Sequence, residues 1–154
     1  MWQRNPFLGI YEAVQNPESA LVVHEYDEWG DTSAVEPGQE NSPHKVLQYI
    51  KSYSPLDNID QISRACLQSN YPAVYLTLGL CDNKVNPTAS MQWTHSLRAR
   101  LSQRRGTVPS SMEANGGILV RIQPGVGHDG PATVEGQIEE AAMEIAFLES
   151  VIRK

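Results

Sequence analysis

Residues 72 to 79, Pro72-Ala73-Val74-Tyr75-Leu76-Thr77-Leu78-Gly79, make a short and almost wholly apolar run. Its length, its β-branched and aromatic content and its closing glycine mark a strand rather than a helix. Apolar residues occupy both alternating sets of positions, which is how a strand covered on both faces of a parallel sheet reads. Directly after it, Asn86-Pro87 supplies a helix N-cap and a first-turn proline, and Met91, Trp93, Leu97 and Leu101 continue that helix. A second strand is expected over Gly117 to Gln123 (GILVRIQ), stopped by Pro124-Gly125. Beyond it, Ile138, Ala141, Ala142, Ile145, Leu148 and Ile152 recur at i, i+3, i+4 and i+7, the stripe of an amphipathic helix. Glu139 and Glu140 in its first turns and Arg153 and Lys154 at its end both suit the helix dipole. Strand, helix, strand, helix predicts an α/β fold, a parallel sheet with crossover helices.

Upstream the pattern is weaker. Pro43 to Tyr53 places Val46, Leu47 and Ile50 at helical spacing, closed off before Ser54-Pro55. Asp31 to Pro43 and Ser102 to Gly117 are polar and read as long surface loops. The chain has 154 residues, 40 % of them hydrophobic, enough for one domain with a core. Its formal charge of −6 argues against a nucleic-acid partner, which needs a basic face. No stretch approaches the roughly 18 apolar residues of a membrane span, and Met1 to Pro6 lacks a signal peptide's apolar run. With only two cysteines, Cys66 and Cys81, no disulfide scaffold is expected, and the reading is a cytoplasmic protein in a reducing compartment.

Open α/β sheets carry their chemistry in loops at the carboxyl ends of the strands. Here the first strand is followed by Leu80-Cys81-Asp82-Asn83-Lys84, the second by Pro124-Gly125-Val126-Gly127-His128-Asp129-Gly130. An aspartate and then a histidine, each just past a strand end, match the Ser…Asp…His order of α/β-hydrolases. In that arrangement the carboxylate fixes the imidazole tautomer and stabilises the imidazolium that forms. Each residue also has a plainer reading: Asp82 as the cap of a turn, His128 as a solvated side chain in a glycine-rich loop. Cys81 has no base beside it and is expected to be small filler.

Several segments carry a resemblance in order along the chain: HEYDEWGD (His24 to Asp31), YIKSYSPLDNI (Tyr49 to Ile59), YPAVYLTLGLCDNKVNP (Tyr71 to Pro87), PGVGHDG (Pro124 to Gly130) and MEIAFL (Met143 to Leu148). From Pro6 almost to its end the chain resembles the C-terminal part of prolyl oligopeptidase family enzymes, the oligopeptidase B (protease II) group in particular. The resemblance implies that residues 1–154 are the C-terminal portion of an α/β-hydrolase catalytic domain, incomplete, with Asp82 and His128 as two of three triad members. It implies no cofactor. It also implies that Glu25 and Asp27 bind the basic side chain of a peptide substrate at the cleavage site. A carboxylate pair is a sound partner for Arg or Lys, although Asp27 is one methylene shorter than the family's usual glutamate. Without the resemblance, Glu25, Asp27 and Glu28 read as a solvated acidic loop. His24 beside them raises a metal site, but no second ligand cluster supports one, so no metal is expected.

The nucleophile elbow G-x-S-x-G does not occur, since no serine has glycine at both −2 and +2. The resemblance puts that elbow, and a substrate-filtering β-propeller, ahead of the region matching Pro6. The expected function is therefore a serine-type oligopeptidase segment cleaving after Arg or Lys, inactive alone because its serine lies elsewhere. A catalytically dead chain that acts as a binding partner is the alternative from another class. A post-proline peptidase is disfavoured by the acidic pair, because a proline pocket wants apolar walls. Oligomeric state is left open.

Overall fold

Residues 74 to 79 form the middle strand of a parallel sheet in the computed structural model, which describes residues 1–16, 28, 43–62, 71–103 and 117–153. Among these the elements run β1 (Trp2–Arg4), α1 (Ile10–Ala13), α2 (Pro43–Tyr53), a 3-10 turn (Ile59–Gln61), β2 (Val74–Gly79), α3 (Pro87–Gln103), β3 (Ile118–Gln123) and α4 (Val134–Ile152). The sheet order is β1-β2-β3, with both neighbours parallel to β2. Trp2 lies opposite Tyr75, and Val74 opposite Ile118, so the carboxyl ends of β2 and β3 finish together at Gly79 and Gln123.

All six residues of β2 are buried, as an almost wholly apolar strand with cover on both faces should be. The pleat sends alternate side chains to opposite sides. Val74, Leu76 and Leu78 enter a core with Leu8, Ile59, Trp93 and Leu97, so α3 and the 3-10 turn cover that face. Tyr75 points the other way and stacks on Phe147 of α4, ring centroids 5.3 Å apart. A smaller cluster of Val14 and Ile50, with Val46 and Leu47 at its margin, joins α1 to α2. The α2 stripe therefore packs as its spacing predicts.

The caps follow the residue types. Asn86 Oδ1 accepts from the Thr88 amide at 2.9 Å and starts α3. Thr133 does the same for α4, its hydroxyl accepting from the Gly136 amide at 3.1 Å. Ties between elements are polar: Ser90 Oγ donates to the Pro6 carbonyl at 2.9 Å, and the Arg100 guanidinium holds Asp60 at 2.6 Å.

Three expectations change. β1 is an additional strand, too short at three residues for its period to show. α3 runs through Gln103, so Ser102 and Gln103 are helical rather than loop, and Pro43 likewise belongs to α2; residues 31–42 and 104–116 lie outside the described residues. The third concerns α4, whose apolar stripe does not face the sheet. Ile138, Ile145, Leu148 and Ile152 are 64, 58, 45 and 79 % exposed, while Glu140 and Phe147 are buried. Glu140 faces inward because Arg4 on β1 meets it at 3.0 Å, and Arg4 also reaches Glu144 at 3.3 Å. The helix is present but starts a turn earlier than expected and is rotated, with Glu140 and Phe147 on its inner face. Its first-turn acid is Glu135, since the helix begins at Val134; Glu139 pairs instead with Arg121 at 2.8 Å.

Candidate active site

Two loops leave the sheet side by side at the carboxyl ends of β2 and β3, and backbone hydrogen bonds join them. Leu80 N donates to Gln123 O at 3.1 Å and Cys81 N to Val126 O at 3.0 Å. Gly79 stands where they touch. A Cβ added there would lie 2.5 Å from Val126 O and 2.8 Å from Gly127 O, closer than any side chain tolerates. The residue must be glycine for the β3 loop to settle onto the end of β2.

That contact brings the two sequence-predicted residues together. His128 Nδ1 lies 2.9 Å from Asp82 Oδ2. The Asp82 side chain is 1 % exposed and that of His128 33 %. The other carboxylate oxygen, Oδ1, accepts from the amides of Lys84 at 2.8 Å and Val85 at 2.9 Å. Asp82 therefore makes two kinds of contact at once: one oxygen caps the turn, and the other meets the imidazole. Burial pushes the Asp82 carboxyl up, but the Val85 amide, the His128 ring, the Lys84 amide and the imidazolium charge together outweigh it and hold the carboxyl below its ordinary value. A carboxylate that keeps its charge in a buried position is what the stabilisation of an imidazolium requires. With Nδ1 committed to Asp82, proton transfer falls to Nε2.

The surroundings are modest. Lys84 and Asp129 face each other at 3.5 Å across the two loops, both well exposed, a pair of small energetic weight. Cys81, expected to be filler, is exposed. Glu25 and Asp27, the expected substrate-binding pair, lie outside the described residues, as do His24 and Cys66. Among the described residues no cluster of three or more His, Cys, Asp or Glu could hold a metal, and no helix is long and apolar enough to cross a membrane.

One residue at the site went unremarked in the sequence. Asn5, at the end of β1, donates through Nδ2 to the carbonyls of His128 at 2.8 Å and Gly127 at 3.3 Å. Its only sequence signal is that asparagine tolerates a left-handed backbone.

The sequence profile of the prolyl oligopeptidase family matches residues 6–154. The chain belongs to the prolyl oligopeptidase family. Within it, protease 2 of Moraxella lacunata is 27 % identical over 143 residues, covering 93 % of this chain and 17 % of that protein. Prolyl endopeptidase-like protein of Macaca fascicularis gives the same identity and coverage. Dipeptidyl aminopeptidase BI of Pseudoxanthomonas mexicana is also 27 % identical, with 16 % of its length covered. The structure of oligopeptidase B from Leishmania major superposes with a TM-score of 0.70 at 24 % identity, covering 99 % of this chain and 17 % of that one. The shared fold is that of part of an α/β-hydrolase domain. This family member thus spans about a sixth of the length of the relatives it matches.

Proposed function

We propose that residues 1–154 are the C-terminal segment of a peptidase catalytic domain, supplying the acid and base of a Ser-His-Asp triad. The observation that carries this reading is the 2.9 Å contact between His128 Nδ1 and a buried, charge-retaining Asp82. In the proposed reaction a serine hydroxyl from outside this chain attacks the peptide carbonyl. His128 Nε2 takes the hydroxyl proton as the new C–O bond forms, then passes it to the leaving amine as the C–N bond breaks. Water repeats the cycle on the acyl-enzyme. Asp82 holds the ring in one tautomer and stays ionised throughout.

Glu25 and Asp27 are proposed to select a basic side chain, a reading that rests on sequence resemblance and on the fit of carboxylates to Arg and Lys. The substrate class is therefore short peptides cleaved after a basic residue. No serine of the chain stands in a G-x-S-x-G elbow, which favours an inactive isolated chain. Loss of the nucleophile alone costs about 10⁶ in kcat in a model serine protease.

The test is to extend the reading frame upstream of Met1, express the product and assay reporter peptides ending in Arg, Lys or Pro. The expected outcome is an in-frame elbow serine and cleavage after Arg and Lys that His128→Ala abolishes. Cleavage only after Pro overturns the specificity, and activity indifferent to His128→Ala overturns the site. A stop codon or unrelated sequence upstream leaves the catalytically dead chain as the surviving reading.

A further inference from the structure

Asn5 has a backbone that its sequence context disfavours. Its φ is +42°, in the left-handed region, among the described residues the one case outside glycine. It also precedes Pro6, and a residue before proline is pushed toward extended conformations. Such a backbone is strained and persists only where its surroundings over-determine it.

The surroundings do so with four hydrogen bonds. Asn5 N donates to Thr77 O at 2.8 Å, prolonging the β1–β2 ladder by one residue. Oδ1 accepts from Gly79 N at 2.8 Å. Nδ2 donates to His128 O at 2.8 Å and to Gly127 O at 3.3 Å. The residue is 8 % exposed, so these bonds form away from bulk water, where an unmade one is costly.

We infer that Asn5 is the positioning residue of the His128–Asp82 pair. Its side-chain amide bridges two pieces of backbone far apart in sequence: the end of β2, three residues before Asp82, and the peptide carrying His128. The left-handed turn aims the amide there, because an extended residue at position 5 would send its side chain to a face of the sheet. No side chain other than asparagine offers this donor and acceptor on so short a stem while tolerating positive φ.

This inference rests on the proposed dyad, and one experiment separates the two. The 154-residue chain, dilute, is treated with diethyl pyrocarbonate at one fixed neutral pH. Modification of each histidine is read by peptide mass spectrometry, with exposed His95 as internal reference. The variants are Asp82→Asn, Asn5→Gly and the core substitution Leu97→Ala. Asn5→Gly keeps the backbone freedom and loses both side-chain donor and acceptor. The reagent acylates a ring nitrogen, so losing the carboxylate that holds Nδ1 changes the rate at His128 relative to that at His95.

The expected result is a change of at least twofold in the His128 to His95 rate ratio in Asp82→Asn. A change in the same direction, at least half as large on a logarithmic scale, is expected in Asn5→Gly, with none in Leu97→Ala. If Asp82→Asn changes the ratio and Asn5→Gly does not, the Asn5 inference fails and the dyad stands. If Leu97→Ala changes it as far as Asn5→Gly, Asn5 is merely structural and the inference is overturned. If Asp82→Asn leaves the ratio in place, the dyad reading itself is overturned and Asn5 loses its role with it.

Discussion

Gly79 and Val126 touch through backbone alone: a Cβ on Gly79 would lie 2.5 Å from the Val126 carbonyl oxygen. The β3 loop is seated directly on the last residue of β2, and the His128–Asp82 geometry inherits that seating. Gly79→Ala must push the loop away, because carbonyl oxygens rather than flexible side-chain tips occupy the space. Overpacking of this kind costs about 1–3 kcal/mol. The expected outcome is a lowered urea midpoint in pulse proteolysis, together with faster amide exchange at Cys81, whose N–H bonds to Val126 O. Unchanged exchange at Cys81 would show that the loop does not depend on this contact.

Asp82 gives the chain an acid-sensitive contribution to stability. Its carboxyl is held below the ordinary value, which in the unfolded chain is about 3.9. A group depressed in the fold stabilises fully above its unfolded value, and loses that contribution as pH falls through the folded one. Wild type is therefore expected to exceed Asp82→Asn in stability at neutral pH. The gap should hold down to about pH 5 and close progressively below about pH 4. Unfolding midpoints of both proteins over that range provide the check, and a gap that widens on acidification contradicts the assignment.

The readable part of this chain was its regular part. Val74 to Gly79, the Asn86-Pro87 start and the order of Asp82 and His128 are local signals, and the structure keeps each of those elements where its residues place it. What stayed illegible depends on partners distant in sequence. Trp2–Arg4 is a strand because Tyr75 to Thr77 pair with it, not through any period of its own. The inner face of α4 is decided by Arg4, which lies 136 positions before Glu140 and turns a carboxylate inward against the apolar stripe. Asn5 shows its importance only through a positive φ and the two loops that it meets.

That inward carboxylate depends on its partner. The Glu140 side chain is 2 % exposed and Arg4 is its ion-pair partner at 3.0 Å, while its Oε1 has no hydrogen-bond partner. Arg4→Met strands a buried acceptor and is expected to cost roughly 1–3 kcal/mol. Adding Glu140→Leu to Arg4→Met removes the stranded group, and apolar replacement of both partners is often neutral or better. The double variant should therefore recover most of the lost stability in urea unfolding. A double variant less stable than Arg4→Met alone would mean that Glu140 contributes by some route other than this pair.

The outward stripe of α4 has a consequence in solution. Ile138, Ile145 and Leu148 lie along one exposed side of the helix, with Ile152 beyond them at 79 % exposure. Apolar patches of this kind drive association unless covered. The isolated 154-residue chain is expected to form species in sedimentation velocity that grow with concentration, and to bind an apolar dye. Ile138→Glu with Ile145→Glu should shift the distribution toward monomer and cut dye binding several-fold. The fold should persist, because neither side chain contributes to the buried clusters around Leu76 or Ile50. Surface charge at exposed helix positions costs within about 0.5 kcal/mol, far less than core disruption. A double variant that unfolds would place these isoleucines in the core after all, and one that stays associated would point to β1 and β3, the outer strands among the described residues, as the sticking surface.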